Sequence, residues 1–501
     1  MISYFTLAVY IFCLIGILTF NIIRFHFFFA ASFRSKSQRL RPLSPTQEGG
    51  EYPSVTIQLP VYNEKYVITR LLEACTRIIY PSDKTEIHVL DDSTDETSQY
   101  IDKWIAQQDH EKQKRIRVIR RSDRDGYKGG ALQHALPHAR GDYIAIFDAD
   151  FVPPNDFLLN TIPYFKNERV GFVQTRWGYL NEKENGLTKL QAFGLNAFFK
   201  YEQLARYTKA YWLSFNGTAG IWRKTCIEDT GGWETDTVAE DLDISCRAQL
   251  KGWKYHYLNH VVCPGELPVL AEDLKKQQYR WSKGGAQNIA KHLRSIFKEE
   301  IPLTQRILRV FHMGSNFISF FILSVLLLSV PMLYLKQISD IGPWFNIGTF
   351  FFLGSLFIIP YYFTASGLDR SKERREFYLV QTFLFISIHT ALALQNTMAL
   401  LSGLFRRQGN NHFHRTPKKG GLRYTHQDWD YLRISRFPWM ETCSISYAIL
   451  GISLAVMWED YSAIFFHLSL CLGNFIILRY SCLRFQFKWR ILGEFKDKGI
   501  A

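Results

Sequence analysis

Asp148 and Asp150 stand either side of one alanine, directly after the apolar run 143–147 in the stretch GDYIAIFDADFVPP. A short run of β-branched and aromatic residues bounded by turn formers reads as a buried strand, so both carboxylates arrive together at its C-terminal end. Acids so placed can hold a divalent cation. Mg²⁺ or Mn²⁺ takes a few carboxylate oxygens and completes its shell with the oxygens of a diphosphate, which a nucleotide-sugar donor would bring. Taken alone, the triplet also has a plainer reading as a strand ending in a solvated acidic turn.

Similar residues recur at neighbouring strand ends. Tyr62 and Glu64 follow the run 55–59, and Asp92 follows the run 86–90. Tyr62 offers a stacking face; Glu64 and Asp92 can accept hydrogen bonds from a base or ribose. Lys128, in GYKGG, can reach a phosphate from a turn whose glycines allow close backbone approach. Singly, each glycine is a turn former and Lys128 a surface cation. The small polar segment Ser214-Phe215-Asn216-Gly217-Thr218-Ala219-Gly220 suits a loop surface that a sugar approaches. Glu240-Asp241-Leu242-Asp243 opens a helix, where acids are favoured by the dipole and Asp243 can pair with Arg247 one turn on. The amphipathic, basic stretch 267–295 carries Gln277, Arg280 and Trp281. Arg280 can pair with a diphosphate and Trp281 can stack on a pyranose ring. The same residues also suit an interfacial helix with a snorkelling arginine and a tryptophan at headgroup level.

The elements that must position these groups alternate. Strand runs at 55–59, 86–90, 116–119, 143–147 and 171–174 are separated by charged helical segments, which predicts a mainly parallel α/β sheet of Rossmann type with ligands at the strand C-termini. Around it the chain is apolar and basic. Of 501 residues, 16% are aromatic and 40 are Phe, and the net charge is +14. The basic residues crowd beside the apolar runs, so an anionic membrane surface fits better than nucleic acid. Eight cysteines without a CxxC pair indicate neither a disulfide framework nor a zinc site, and point to a reducing compartment.

Residues 4–23 form an uncharged run long enough to cross a bilayer, followed by Arg24, Arg34, Lys36, Arg39 and Arg41, which places the following domain in the cytoplasm. A cleaved leader ending near Ala30-Ala31-Ser32 is the minor alternative. Two further runs, 310–335 and 344–365, suit a membrane hairpin. The run 377–404 has basic flanks on both sides, so it predicts an interfacial or re-entrant segment. A last hairpin spans about 445–457 and 463–478. The expectation is five crossings and one interfacial segment.

PVYNE, DDSTD, GYKGGAL, FDADF, FNGTAG, the pair Glu240-Asp241 and QQYRW stand here in the order and spacing of inverting family 2 glycosyltransferases. The chain resembles the cellulose-synthase superfamily, in particular cellulose-synthase-like glucomannan and xyloglucan-backbone synthases and their bacterial relatives. The resemblance implies a GT-A fold on an α-helical transmembrane bundle with amphipathic interface helices. It implies donor binding by Tyr62, Glu64, Asp92, Lys128, Asp148, Asp150, Gln277 and Arg280, with Mg²⁺ or Mn²⁺ on Asp148 and Asp150. Asp241 would be the general base, and Trp281, Phe215, Asn216, Gly217 and Thr218 would meet the acceptor. Phe413, Thr416 and Lys418, in FHRTPK, are similar to the family's gating loop, although Arg415 and Pro417 depart from its pattern.

The implied organisation is a membrane helix at 1–33, the GT-A domain at 34–265, an amphipathic segment at 266–306, a hairpin at 307–369, an interface helix and loop at 370–430, and a hairpin with a short tail at 431–501. The implied activity is polymerisation of sugar from UDP-glucose or GDP-mannose into a β-1,4-linked glucan or mannan, passed across a plasma, inner or Golgi-type membrane. Two alternatives stand beside it: glycosylation of a membrane lipid such as ceramide or polyprenyl phosphate, and a receptor or scaffold with an inactive nucleotide domain.

Overall fold

The computed structural model describes residues 1–32, 52–345, 348, 359, 375–405, 418 and 438–497. Among them, seven strands form one sheet: β1 Val55–Val61, β2 Thr85–Asp91, β3 Ile116–Ile119, β4 Tyr143–Ile146, β5 Val170–Tyr179, β6 Gly220–Arg223 and β7 Lys254–Gly265. Their order is β3-β2-β1-β4-β6-β5-β7. Pairing is parallel for β1–β2, β1–β4, β2–β3 and β5–β7, whereas β6 runs antiparallel to both β4 and β5.

Side chains on successive strand residues point to opposite faces, and the apolar ones divide accordingly. Ile57, Leu59, Val89, Ala145 and Phe147 pack in the core on one face; Leu90, Ile144, Ile146, Phe172 and Trp222 pack on the other. A sheet covered on both faces explains why β4 reads as an unbroken apolar run.

The helices that frame the site are α1 Ile2–Ser32, α2 Tyr127–Ala135, α3 Gly186–Ala197, α4 Glu240–Leu250, α5 Ala271–Lys298 and α6 Leu303–Met313. The remaining long ones are α7 Ile318–Ile338, α8 Arg375–Ala391, α9 Ala393–Phe405, α10 Trp439–Met457 and α11 Ile464–Asp497. Among the described residues, four segments are long and apolar enough to cross a bilayer: Ile2–Ala31, Ser315–Ile338, Trp439–Met457 and Ile464–Ser481. They share a core that includes Leu14, Val325, Leu326, Ala448 and Leu470. These segments fit a transmembrane bundle.

The predicted run 310–335 is not one helix. Gly314 ends α6, which buries Phe311 and Met313 and exposes Leu303 and Ile307, and the apolar helix begins beyond it. The ambiguous run 377–404 is a broken pair, α8 and α9, bent by 49° between Ala391 and Ala393. The run 344–365 lies almost wholly outside the described residues.

Candidate active site

β1, β2 and β4 end side by side, with Val61 opposite Asp91 and Gln58 opposite Ile146. Their loops therefore open on one edge of the sheet, and α2, α4 and α5 bring further residues to it. Together they enclose a cavity of about 240 Å³. Tyr62, Glu64, Asp92, Lys128, Asp148, Asp150, Asn216, Gly217, Asp241, Gln277, Arg280, Trp281 and Lys418 all line it. A second cavity of about 320 Å³ meets the first along Trp177, Asn216, Asp241, Gln277 and Trp281. It continues between α3, α5, α6 and α8, reaching Arg24 of α1 and Phe385 and His389 of α8.

Local geometry explains how each group is held. Gly126 takes φ +65° immediately before α2, a left-handed turn that suits glycine, and this aims Lys128 inward. The Lys128 Nζ donates to Asp148 Oδ1 at 2.5 Å and to the Gly217 carbonyl at 2.8 Å. Burial alone would lower the Lys128 ammonium, but Asp148 and Glu240 outweigh it and raise it. Asp150 Oδ2 lies 2.8 Å from Lys418 Nζ, which also donates to the Glu266 carbonyl at 2.6 Å. Two hard carboxylates at one strand end, each answered here by an ammonium, form a donor set that suits Mg²⁺ or Mn²⁺.

Asp241 lies in the first turn of α4, where its Oδ1 accepts from the Leu242 N–H at 2.8 Å. Burial and the adjacent Glu240 carboxylate push its pKa up to about 7, against the opposing pull of Lys128, the Leu242 N–H and Arg280. A carboxyl so poised can exchange a proton near neutrality.

Some expected positions differ. Phe215 and Thr218 are not on an exposed sugar-facing loop: both are buried, Phe215 packing against Phe172 and Trp222 while Thr218 Oγ1 accepts from the Asp148 N–H at 2.8 Å. Only Asn216 and Gly217 of that segment face the donor-side cavity, with an edge of Phe215 on the second one. Phe413 and Thr416 lie outside the described residues. Asp92 reaches the cavity wall, but both its oxygens accept from Arg121, Oδ1 from Nε at 3.0 Å. The face of Tyr62 is covered by Arg124, whose guanidinium carbon lies 3.2 Å from the ring centroid.

Arg121 and Arg124 are thus site residues that sequence reasoning passed over. The available signal was two arginines placed between a strand end and a glycine turn. Trp177 joins both cavities from the far end of β5, with no local signature, and a π-helical turn, Phe198–Gln203, supplies Phe198, Phe199 and Glu202 to the second cavity.

Comparison with known proteins agrees with this architecture. The model of glycosyl transferase family 2 matches residues 56–227, and that of glycosyl transferase family group 2 matches residues 143–365. A probable glucomannan 4-beta-mannosyltransferase 10 of Arabidopsis thaliana is 33% identical over 377 residues, covering 74% of this chain and 66% of the relative. A probable glucomannan 4-beta-mannosyltransferase 11 of Oryza sativa subsp. japonica is 37% identical over 298 residues, covering 58% and 51%. The chain thus spans between half and two thirds of the length of these two relatives. Number 15 of the same name from Arabidopsis thaliana is 32% identical over 406 residues, covering 77% and 72%. Among solved structures, the mannosyltransferase PcManGT from Pyrobaculum calidifontis, in complex with GDP-Man and Mn²⁺, aligns with TM-score 0.54 at 20% identity, over 80% of this chain and 99% of that one. This last likeness speaks for the GT-A fold alone. With a family 2 model covering the sheet up to β6 and a relative aligned over nearly three quarters of its length, the chain belongs to the family 2 glycosyltransferases, in their cellulose-synthase-like branch.

Proposed function

We propose that the protein is a processive hexosyltransferase that lengthens a β-1,4-linked mannan or glucan from GDP-mannose or UDP-glucose. The observation that carries the reading is the meeting of two cavities at Asp241 and Trp281. One is ringed by the acids and cations a nucleotide diphosphate sugar needs; the other has aromatic and polar walls and runs on to α1 and α8. The names of the plant relatives and the ligands of the archaeal neighbour support the same donor class and a divalent cation.

In this reading Asp148 and Asp150 hold Mg²⁺ or Mn²⁺, which supplies charge neutralisation for the departing diphosphate. Lys128 and Arg280 add fixed positive charge on the same side, and Gln277 orients the donor from α5. Asp241 takes the proton of the acceptor hydroxyl as that oxygen attacks the anomeric carbon. A single in-line displacement inverts an α-linked donor to a β-linked product without a covalent intermediate. Trp281 and Trp177 offer flat apolar faces to the sugar rings at the junction, and Asn216 offers hydrogen bonds. The domain limits set out above, a cytoplasmic site and passage of product into the helical bundle belong to the same proposal.

The test is to incubate membranes from expressing cells with each radiolabelled nucleotide sugar, with Mn²⁺ or Mg²⁺ and then with EDTA, and to size the product. A polymer sensitive to β-mannanase or cellulase, lost with EDTA, is the expected result. One sugar on organic-extractable lipid would replace the polymerase reading with lipid glycosylation.

A further inference from the structure

The segment 231–239 has no helix or strand of its own, yet it carries Thr235, Thr237, Val238 and Ala239 into the donor-side cavity and leads directly into Asp241. Irregular backbone has no ladder of hydrogen bonds to fix it, so something else must hold Asp241 in place.

Gln133 of α2 accepts from the Trp233 N–H and Arg247 of α4 donates to the Thr230 and Gly232 carbonyls, which fixes the start of the segment; the stretch next to Asp241 is held by one face of α5. Gly284 lies against Ala239; Gln287 Oε1 accepts from the Val238 N–H at 2.9 Å; Asn288 Nδ2 donates to the Ala239 carbonyl at 3.3 Å. One turn on, Lys291 Nζ donates to Glu234 at 2.6 Å and Asp236 at 2.7 Å and pairs with Asp243 at 2.8 Å, while His292 Nε2 lies 2.7 Å from the same Asp243 oxygen. Positions 284, 287, 288, 291 and 292 follow helical spacing, and Gln277 and Trp281 continue the series toward the cavity. Glu234, Asp236 and Asp243 offer three oxygens within 4.8 Å of one another, close enough to grip a metal ion. Here the ammonium of Lys291 already fills that space. Three carboxylates so close repel one another unless a cation sits among them. Asp243 is fully buried two residues after Asp241, so whatever holds Asp243 also fixes the first turn of α4.

We propose that Lys291 is a positioning residue that clasps the 234–243 segment to α5, and so sets Asp241 relative to Arg280 and Trp281. The base at the start of α4 is then tied to α5, the helix that carries the diphosphate-facing residues. The inference rests on the reading of Asp241 as the general base.

Lys291→Met should lower kcat at least tenfold, leave the affinity for GDP and Mn²⁺ within about twofold of wild type, and move the acid limb of the kcat/KM pH profile. Lys291→Arg should restore most of kcat. Should Lys291→Met not accumulate folded, the double change Glu234→Gln with Asp236→Asn loosens the loop side alone and should lower kcat with unchanged nucleotide affinity. Wild-type kcat and pH profile in these variants would overturn the clasp, as would parallel loss of kcat and nucleotide affinity without rescue by arginine. Asp241→Asn, assayed alongside, separates the two readings. Residual wild-type turnover there removes the base assignment; an inactive Asp241→Asn beside a fully active Lys291→Met removes only the clasp.

Discussion

If Asp241 takes the proton of the acceptor hydroxyl, transfer must grow as that carboxylate ionises. Its pKa of about 7 means that about one tenth of the free enzyme carries the base form at pH 6 and about nine tenths at pH 8. kcat/KM, which reports the free enzyme, should therefore rise roughly tenfold over that interval. Glu240→Gln removes a neighbouring negative charge that helps hold the pKa up, so the limb should move to lower pH. The same shift acts on stability. A folded-state pKa raised above the ordinary 3.8 stabilises the native state at acid pH, and this contribution is lost as pH climbs from about 4 through 7. A difference of about three units corresponds to at most roughly 4 kcal/mol, less the screening by water in the cavity that Asp241 borders. Asp241→Asn has no proton to lose. It should abolish transfer yet melt progressively above wild type as pH rises from 5 to 8, in the same detergent. An activity limb at or below pH 5, or parallel melting curves for the two proteins, would refute the reasoning.

Asp150→Ala should abolish divalent-dependent nucleotide binding, read by calorimetry with GDP and Mn²⁺; nucleotide binding in the variant that still requires Mn²⁺ and is lost with EDTA would count against the metal assignment. Lys418→Met removes the ammonium 2.8 Å from Asp150 and should tighten Mn²⁺ binding in the absence of nucleotide, read by electron paramagnetic resonance. Gly217→Ala places a methyl group 3.0 Å from Asp241 Oδ2 in a backbone with φ +78°, at a cost of about 1–2 kcal/mol. Activity should fall further than thermal stability, because the displaced atom is the base. Trp281→Ala should shorten the polymer while leaving donor binding within a few fold; unchanged product length would place the sugar elsewhere.

The strand ends were legible because their signals are local. An apolar run followed by Asp92 or by Asp148 and Asp150 states both the element and its functional end within a few residues. β6 was not legible in the same way. Gly220–Arg223 is four residues long and follows a small polar run; it is a strand because β4 and β5 pair with it on either side. That pairing also buries Phe215 and Thr218, which composition alone places at the surface. β7 alternates polar and apolar residues only over 254–257 and owes its length to its partner β5, across two register shifts.

The same division separates the two arginines from the acids they meet. Arg121 and Arg124 look like a solvated basic stretch until the fold brings Asp92 and Tyr62 beneath them, about 30 and 60 residues earlier in the chain. Asp243 illustrates the limit well. Its pairing with Arg247 one turn on was readable from spacing and is present at 2.7 Å, but its partners Lys291 and His292 come 48 and 49 residues later. Arg247, Lys291 and His292 together outweigh burial and hold the Asp243 carboxyl down to about 2, while Asp241, two residues earlier, is held up near 7. Two aspartates of one helix turn are thus pushed to opposite sides of the ordinary carboxylate range, because one meets cations delivered by α5 and the other meets a cavity and Glu240. A permanently charged anchor beside a titrating base is a division of labour that no spacing rule within α4 could reveal, since it is written in the neighbouring helix.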